Sequence, residues 1–400
     1  MSVTNIWAGA VTDSSFWVRG KVVGSSVRLA VSTDVSMSNP TWFGPVSPSL
    51  NIASIEATGL SPDTQYHYAF EVDSTLDTTL QGKARTFGTE GQPYSFSFWF
   101  ASCAGNDSAT RDSNHAVFDS IRLHEPTFGV HLGDIHYWDI GSNLHGYEGP
   151  PWDVLFRDGY DTGVLGQSRQ QDLYRNVPIA YIWDDHDYGP NDSDSTSPSR
   201  DEACLTYRER VPHYTLPAGV GAEPIYQTFV CGRVRFILTD GRSERSPKGD
   251  TDNSSKRVHG GAQDIWLENL LETATEPLII WAQPYPWIAD AESGADHWGG
   301  YTTERAEIAS VIDEVDGLSD RLVMISGDMH ALAYDTGQNN QWGGFRVLQA
   351  AAIDATPSQK GGPYTQGPLD EWYQFGLLTI DDPGGTEPIT VTFSGRRYDE

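Results

Sequence analysis

Residues 128–134 read Phe-Gly-Val-His-Leu-Gly-Asp, a short apolar run that ends in a glycine and a carboxylate. Similar apolar runs that stop at polar residues recur at 95–101, 179–183, 234–238, 278–281 and 322–325. Between them lie segments with apolar residues three to four apart, at 114–124, 201–211, 262–272 and 303–315. Short buried strands that alternate with amphipathic helices predict a layered core that combines β-sheet and helix, of the α/β or α+β class.

The polar residues that follow these strands are the candidates for chemistry. Ligand sites in open α/β sheets collect beyond the carboxyl ends of the strands, so we expect these side chains to meet at one rim. The candidates at the strand ends are Cys103, Asp134, Asp184, Asp185, His186, Asp187, Asp240, Gln283, Asp328 and His330. Carboxylates bind hard cations, whereas imidazole and thiolate groups suit transition metals, so the set predicts a metal site.

Three local patterns favour bound cations in this site, and the first of them favours two. The Asp134 carboxylate could bridge two ions a few ångströms apart, and Tyr137 offers a phenolate, which is a ligand for ferric iron. The run 184–187 places three carboxylates and an imidazole in sequence, and a cation would relieve their like-charge repulsion. Asp328 and His330 are alternate residues of a segment expected to be extended, so both side chains can meet one ion.

Composition excludes some classes of function. The chain of 400 residues has 26 Lys and Arg against 55 Asp and Glu, a formal net charge of −29, which disfavours nucleic-acid binding through a basic face. No run approaches the roughly 18 apolar residues of a membrane span, and the first residues carry no signal-peptide pattern. Three cysteines are too few for a disulfide framework, although Cys204 and Cys231 could pair.

The first 90 residues have a different pattern. Runs rich in β-formers at 15–22, 26–32, 51–57 and 66–72 alternate with turn residues and no long helical period interrupts them. Residues 59–66, Gly-Leu-Ser-Pro-Asp-Thr-Gln-Tyr, resemble the tyrosine-corner phrase of fibronectin type III domains, in which the tyrosine hydroxyl bonds to nearby backbone. We therefore predict a small all-β sandwich over 1–90 and a catalytic domain over 91–400.

Five phrases in the second part resemble the alkaline phosphatase D group of the calcineurin-like metallophosphoesterases. The resemblance implies a central pair of β-sheets flanked by helices, an αββα sandwich, with a small immunoglobulin- or fibronectin-like β-sandwich before it. The phrases are Phe100-Ala101-Ser102-Cys103, His131-Leu132-Gly133-Asp134 with Tyr137, Trp183-Asp184-Asp185-His186-Asp187 with Asn191, Gly261-Ala262-Gln263-Asp264-Ile265-Trp266-Leu267, and Ser326-Gly327-Asp328-Met329-His330.

The same resemblance implies the metal ligands. Cys103, Asp134 and Tyr137 would hold Fe³⁺, with Asp134 bridging to Ca²⁺. The second site would use Asp185, Asn191, Asp328 and His330, with the choice between Asp184 and Asp185 left open. Ordinary metallophosphoesterases begin with an Asp-x-His pair, which this sequence replaces by Ser102-Cys103, and this departure argues against the alternative of a Zn²⁺ or Mn²⁺ pair.

The implied reaction is hydrolysis of phosphomonoesters, phosphodiesters or both, by a metal-held hydroxide that attacks phosphorus in line. His186, oriented by Asp187, would protonate the leaving group or hold a phosphate oxygen, and Arg242 would clamp a non-bridging oxygen. The alternatives are a diesterase with phospholipase D-like preference and a catalytically decayed surface-binding module. The expected partner is a small phosphoester, a phospholipid or a wall polymer, with no obligate protein partner. The resemblance favours a secreted or periplasmic protein.

Overall fold

The computed structural model describes residues 2–105, 112–142, 149–385 and 387–399. Its strands, in chain order, are β1 (Val3–Gly9), β2 (Phe16–Val22), β3 (Val27–Ser32), β4 (Thr41–Val46), β5 (Ile52–Ala57), β6 (Gln65–Val72), β7 (Thr75–Leu76), β8 (Gly82–Arg85), β9 (Phe96–Ala101), β10 (Phe128–Leu132), β11 (Ile179–Ile182), β12 (Gln227–Cys231), β13 (Val234–Leu238), β14 (Leu278–Gln283), β15 (Leu322–Ser326), β16 (Leu332–Asp335), β17 (Arg346–Gln349), β18 (Gln366–Leu369), β19 (Gln374–Asp381) and β20 (Thr390–Arg397).

The helices lie between these strands and cover their sheets. They are α1 (Val117–Leu123), α2 (Trp152–Asp158), α3 (Ser168–Asn176), α4 (Asp185–Tyr188), α5 (Arg200–Arg210), α6 (Gly261–Thr273), α7 (Thr302–Glu314) and α8 (Leu318–Arg321), with a π-helical turn at Gly159–Val164 and a 3₁₀ turn at Trp298–Gly300. The described part of the chain contains no helix that is both long and apolar enough to cross a bilayer.

Two large sheets form the centre of the fold. The first has the order β20-β19-β9-β10-β11-β1-β2-β5, and the second has the order β12-β13-β14-β15-β17-β16-β18. Strands β9, β10 and β11 are parallel neighbours, as are β13, β14, β15 and β17. Parallel neighbours point their carboxyl ends in one direction, which is what gathers the polar strand ends.

The core alternates along the strands as the pleat requires. In β14, Ile280 faces the first sheet within one apolar cluster, whereas Trp281 packs into a second cluster with Leu267 of α6 and Ile308 of α7. Aromatic rings fill the space between the sheets, with the Phe98 and Phe236 ring centroids 5.2 Å apart. Two packed sheets with helices outside them confirm the predicted αββα arrangement.

The N-terminal all-β region contains a third sheet with the order β4-β3-β6-β7, in which β8 also pairs with β6. The tyrosine corner is confirmed, because the hydroxyl of Tyr66 accepts a hydrogen bond from the Ser61 backbone N–H at 2.9 Å. Strand β1 leaves this region and pairs in parallel with β11 at Gly9 and Ile179, so β1, β2 and β5 extend the first large sheet. The division of the chain at residue 90 stays a proposal.

Cys204 and Cys231, which the sequence left free to pair, do not form a disulfide, since Cys103, Cys204 and Cys231 are all free and buried. Cys204 lies in α5 and Cys231 ends β12, and each packs in the apolar core as a small hydrophobic residue.

Candidate metal centre

Two glycines allow the strand ends to approach one another. Gly133, which has a φ of +92°, follows β10, and a Cβ there would lie 2.5 Å from the Cβ of Asp184 after β11. Gly327 follows β15, and a Cβ there would lie 2.3 Å from the hydroxyl of Ser102 after β9. The first contact joins two ends of one sheet and the second joins the two sheets. Larger residues at either position would push the candidate ligands apart.

The carboxylate of Asp134 lies at the centre of the assembled site. It shares one group of ligand atoms with Cys103 and His330, and a second group with Asp185 and His186, and within each group the atoms lie within 4.8 Å of one another. The Cys103 thiol lies 3.5 Å from an Asp134 oxygen, and the His186 backbone N–H donates to the other oxygen at 3.3 Å. One carboxylate with ligand groups on both sides has the arrangement of a bridging ligand.

Tyr137 lies on the Cys103 side of this carboxylate. Its hydroxyl is 3.2 Å from Nε2 of His330, and its ring lies 4.2 Å, centroid to centroid, from the His186 ring. Thiol, phenol and carboxyl groups therefore occupy one pocket with an imidazole. His330 lies in this group, whereas the sequence resemblance placed it with Asp185.

The backbone at the site is strained at four candidate ligands. Cys103, Asp134, Asp328 and His330 have φ values of 64°, 54°, 55° and 57°, in the left-handed region that residues with a side chain rarely adopt. Such strain persists only where surrounding contacts impose it, and it concentrates at functional sites. It also corrects the expectation of an extended segment at 328–330.

The side chains of Asp328 and His330 consequently have different partners. The ammonium of Lys360 donates to Asp328, and Nδ1 of His330 lies 2.6 Å from the carbonyl oxygen of Thr356. The backbone N–H of Asp328 donates to the Ser102 hydroxyl at 3.1 Å. Asp328 therefore lies beside the Cys103 end of the site, and its carboxylate forms an ion pair with the ammonium of Lys360.

Three buried acidic groups of the site, Asp134, Cys103 and Tyr137, have raised pKa values, so nearby positive charge would favour their ionised forms. Burial raises the pKa of Asp134 to about 7, with Asp185 and Asp328 adding to the shift and His186 opposing it. Burial and the neighbouring Asp134 also raise the pKa values of the Cys103 thiol and the Tyr137 phenol well above their usual range. All three groups would have to be ionised as metal ligands, and bound cations would supply the compensating charge.

His186 is oriented by a different aspartate from the one predicted. Its Nδ1 is hydrogen bonded to the Asp139 carboxylate. Asp187 instead accepts backbone N–H groups from Ile135 at 3.0 Å and Asp184 at 2.7 Å. Asp187 thus fixes the loops after β10 and β11, and the positioning of the imidazole falls to Asp139.

Arg242 is also placed differently from the prediction. Its side chain is fully buried, its Nε donates to Asp184 at 2.6 Å, and its Nη atoms donate to Asp296 at 2.7 and 3.1 Å. It lies 3.7 Å from Asp185. The guanidinium already has two carboxylate partners, Asp184 and Asp296, and it holds both in place. This geometry disfavours the predicted contact between Arg242 and a substrate oxygen.

The structure distinguishes the neighbours Asp184 and Asp185. Asp184 faces Arg242, whereas Asp185 shares the ligand group with Asp134 and accepts the Asp192 backbone N–H at 2.7 Å. Burial opposes ionisation of Asp185, but His186 and Arg242 outweigh it and lower the pKa of that carboxyl. Asn191 is exposed, and its neighbour Asp192 reaches Asp185 through the backbone.

Comparison with known proteins identifies the family of the part of the chain that carries this site. Residues 98–346 match the family described as PhoD-like phosphatase. The chain belongs to the PhoD-like phosphatase family. Members of this family are phosphatases, and its region of match includes all the candidate ligands.

Two solved structures share the fold of this family member. The structure of PhoD has a TM-score of 0.77 at 19% identity, covering 98% of this chain and 88% of that one. Purple acid phosphatase PPD1 from yellow lupin (Lupinus luteus) seeds has a TM-score of 0.67 at 12% identity, covering 99% of this chain and 72% of that one. No curated protein matches the sequence.

The residues present fit a centre of two or more cations. Sulfur, phenol, imidazole and carboxylate donors converge around one shared carboxylate, and burial holds the pKa values of Asp134, Cys103 and Tyr137 above their usual range. The family and the donor set together identify a metal-dependent phosphatase.

Three contributors to the site are missing from the sequence prediction. Asp139 lies five residues after Asp134, close enough to be found by asking which nearby acid could reach His186. Lys360 and Asp296 lie in loops far along the chain, and only the fold brings them to Asp328 and Arg242. No local pattern marks either of them.

Proposed function

We propose that this protein hydrolyses phosphomonoesters, phosphodiesters or both at the centre around Asp134. The observation that carries the proposal is the position of the Asp134 carboxylate, which belongs to two ligand groups at once. Two cations a few ångströms apart clamp the attacking and leaving oxygens of an in-line displacement at phosphorus.

We further propose Fe³⁺ on the Cys103 side and Ca²⁺ on the Asp185 side. Thiolate, phenolate and imidazole donors surround the first position and suit a transition metal. The second position has the Asp185 and Asp134 carboxylates, oxygen donors of the kind that calcium prefers, beside the His186 imidazole, whose Nδ1 is hydrogen bonded to Asp139. Zn²⁺ or Mn²⁺ in both positions is the alternative assignment.

Bound cations supply Lewis acidity toward the phosphoryl oxygens and an activated water. The chain's own residues do the rest. The carboxylates of Asp134 and Asp185 would hold the cations in place. The imidazole of His186, held by Asp139, delivers a proton to the leaving oxygen. Lys360, whose side chain is 43% exposed, places an ammonium at the edge of the site, where it can contact an anionic substrate.

The strained ligand backbone favours an active enzyme over a decayed binding module. Left-handed conformations at Cys103, Asp134, Asp328 and His330 destabilise the fold, and a domain without a use for them would gain stability by relaxing.

The test is turnover of p-nitrophenyl phosphate, a monoester, and bis(p-nitrophenyl) phosphate, a diester, by the metal-replete protein. We expect hydrolysis of at least one, and the ratio of the two kcat/KM values assigns the preference. A long-chain phosphatidylcholine assayed in parallel tests the phospholipase D-like alternative. Absence of turnover with all three substrates at full metal occupancy contradicts the proposal and favours the binding module.

Replacing Tyr137 by phenylalanine tests the proposed iron. A ferric phenolate absorbs visible light by charge transfer, so we expect a coloured band in the wild-type protein that is lost in Tyr137→Phe while iron content stays near one per chain. Tyr160, another buried tyrosine, provides the matched control, and Tyr160→Phe should keep the band. A colourless wild-type protein that contains zinc or manganese would assign the alternative metals.

Replacing Asp139 by asparagine tests the role of the His186 imidazole. We expect kcat to fall about tenfold or more with little change in KM, because general acid catalysis contributes about 10²–10⁴-fold and depends on the orientation of the imidazole. The loss should be larger for an alkyl phosphoester than for a p-nitrophenyl ester, since a poor leaving group needs its proton more. Equal losses for both leaving groups would show that Asp139 has only a structural role.

A further inference from the structure

A second group of potential ligands lies outside the phosphoester site, and we call it the buried triad. It consists of His259 in the loop after β13, Asp264 in the first turn of α6 and Glu304 in the first turn of α7. Their ligand atoms lie within 4.8 Å of one another. Asp264 belongs to the phrase at 261–267, to which the phosphoester centre gives no role.

The His259 side chain makes no hydrogen bond of normal length to any described residue. The side chain is fully buried, and neither ring nitrogen has a hydrogen-bond partner among the described residues. Its Nδ1 lies 3.6 Å from Oδ1 of Asp264 and 3.5 Å from Oε1 of Glu304, and that Asp264 oxygen is also unpartnered in the described chain. Buried polar groups are nearly always satisfied, so an imidazole aimed between two carboxylates indicates a missing ligand.

The surroundings hold the three side chains in place. Glu304 accepts the backbone N–H groups of Val258 and His259, the latter at 3.1 Å. The Trp298 ring packs edge-on against the imidazole at 5.3 Å between centroids. Arg257 lies 3.8 Å from the other oxygen of Asp264, Oδ2, which leaves Oδ1 facing the imidazole.

We propose that the buried triad binds one divalent transition-metal ion of the zinc class. Zinc takes imidazole nitrogen and carboxylate oxygen at about 2.0–2.2 Å, which separates tetrahedral ligands from each other by about 3.3–3.6 Å. The separations from Nδ1 to the two carboxylate oxygens, 3.6 and 3.5 Å, match that spacing. An imidazole donor favours zinc over calcium or magnesium.

An ion in the buried triad would lie near solvent and would join three segments of the chain. The Asp264 side chain is 12% exposed, so solvent lies beside the cluster on that side, although the Asp264 oxygen that faces the imidazole is itself buried. An ion here would join the loop after β13 to the first turns of α6 and α7. The segment before α7 carries Asp296, the partner of Arg242. An ion that binds the folded protein and not the unfolded chain would raise the stability of the fold.

The test compares the full-length protein with Asp264→Asn and with a matched control, Glu268→Gln, one turn along α6. Each protein is stripped with a chelator, dialysed against ZnCl₂ in excess over its candidate sites, freed of unbound zinc and assayed for bound zinc. We expect Asp264→Asn to hold about one zinc fewer than both others, and to lose part of the rise in Tm that zinc causes. Its turnover with the active-site metals restored should stay within about twofold of wild type.

Equal zinc content and an equal Tm response in Asp264→Asn and wild type would overturn the proposal. A proton on His259 or on one of the two carboxylates would then account for the close approach of Asp264 and Glu304 to the imidazole. A measurement on the wild-type protein alone covers the case in which the variant does not fold. Anomalous scattering at the zinc edge from crystals soaked in ZnCl₂ should give a peak between His259, Asp264 and Glu304. A peak at the phosphoester centre with none at the buried triad would equally overturn it.

Discussion

Asp134→Asn is expected to lower kcat for phosphoester hydrolysis by about 10³-fold or more, at or beyond the upper end of the effect of removing one group that stabilises transition-state charge. The amide keeps the size of the side chain but removes the negative charge that both ligand groups share. Cation binding on both sides of the residue therefore weakens together. Metal content and kcat are the quantities to measure.

The same substitution should leave the fold intact. Burial raises the pKa of Asp134 to about 7, so at and above that pH the metal-free protein carries a buried, poorly compensated carboxylate. Asparagine removes that cost, and we expect the free energy of unfolding of the metal-free protein to stay the same or rise. Loss of activity with unchanged stability separates a ligand from a structural residue.

Asp382→Asn is the matched control for this substitution. Asp382 is also buried, but it follows β19 and pairs with Arg233 away from the candidate ligands. The control should keep turnover while losing some stability. If Asp134→Asn kept wild-type activity and metal content, the assignment of the centre would be wrong.

Arg242→Met is expected to lower the free energy of unfolding by about 3–5 kcal/mol, the usual cost of leaving buried charges without their partner. The fully buried guanidinium binds Asp184 at 2.6 Å and Asp296 at 2.7 Å. Methionine fills much of the same volume but neutralises neither carboxylate. Burial already raises the pKa of Asp184, and removing the arginine would raise it further.

Three further variants make this effect specific: Asp184→Asn, its combination with Arg242→Met, and Arg85→Met. The double variant Arg242→Met with Asp184→Asn should lose less than the sum of the two single losses, because one uncompensated charge is gone. Arg85→Met, which removes an exposed pair with Asp63, should cost about 0–1 kcal/mol. Urea unfolding of the wild-type protein and the four variants measures these differences, and a loss for Arg242→Met no larger than for Arg85→Met would contradict the account.

Much of the fold could be read from local sequence. The strand predictions at 128–132 and 234–238 coincide with β10 and β13, and the predicted helices at 262–272 and 303–315 match α6 and α7 within a residue or two. Buried strands and amphipathic helices have characteristic local patterns of apolar residues, and for this reason these elements can be predicted. The joining of β1 to β11 has no local signal, because it depends on a pairing between Gly9 and Ile179 across the chain.

Some residues of the candidate site can be predicted from local sequence and others cannot. Residues directly after strands, such as Asp134 and Asp185, are found because the strand pattern places them. Their partners depend on tertiary structure, so the sequence assigned His186 to its neighbour Asp187 when Asp139 is the partner. The left-handed backbone at Asp328 and His330 lies next to the close approach of Gly327 to Ser102, a tertiary contact that no local pattern contains.

The central claim is that cations at the Asp134 centre are required for phosphoester hydrolysis. The most direct test strips the protein with a chelator, returns Fe³⁺ and Ca²⁺ or Zn²⁺ in measured equivalents, and follows turnover and bound metal in the same samples. The account predicts no turnover without metal, a rise that stops when the centre is filled, and no rise in Asp134→Asn. Undiminished turnover by metal-free protein would contradict it.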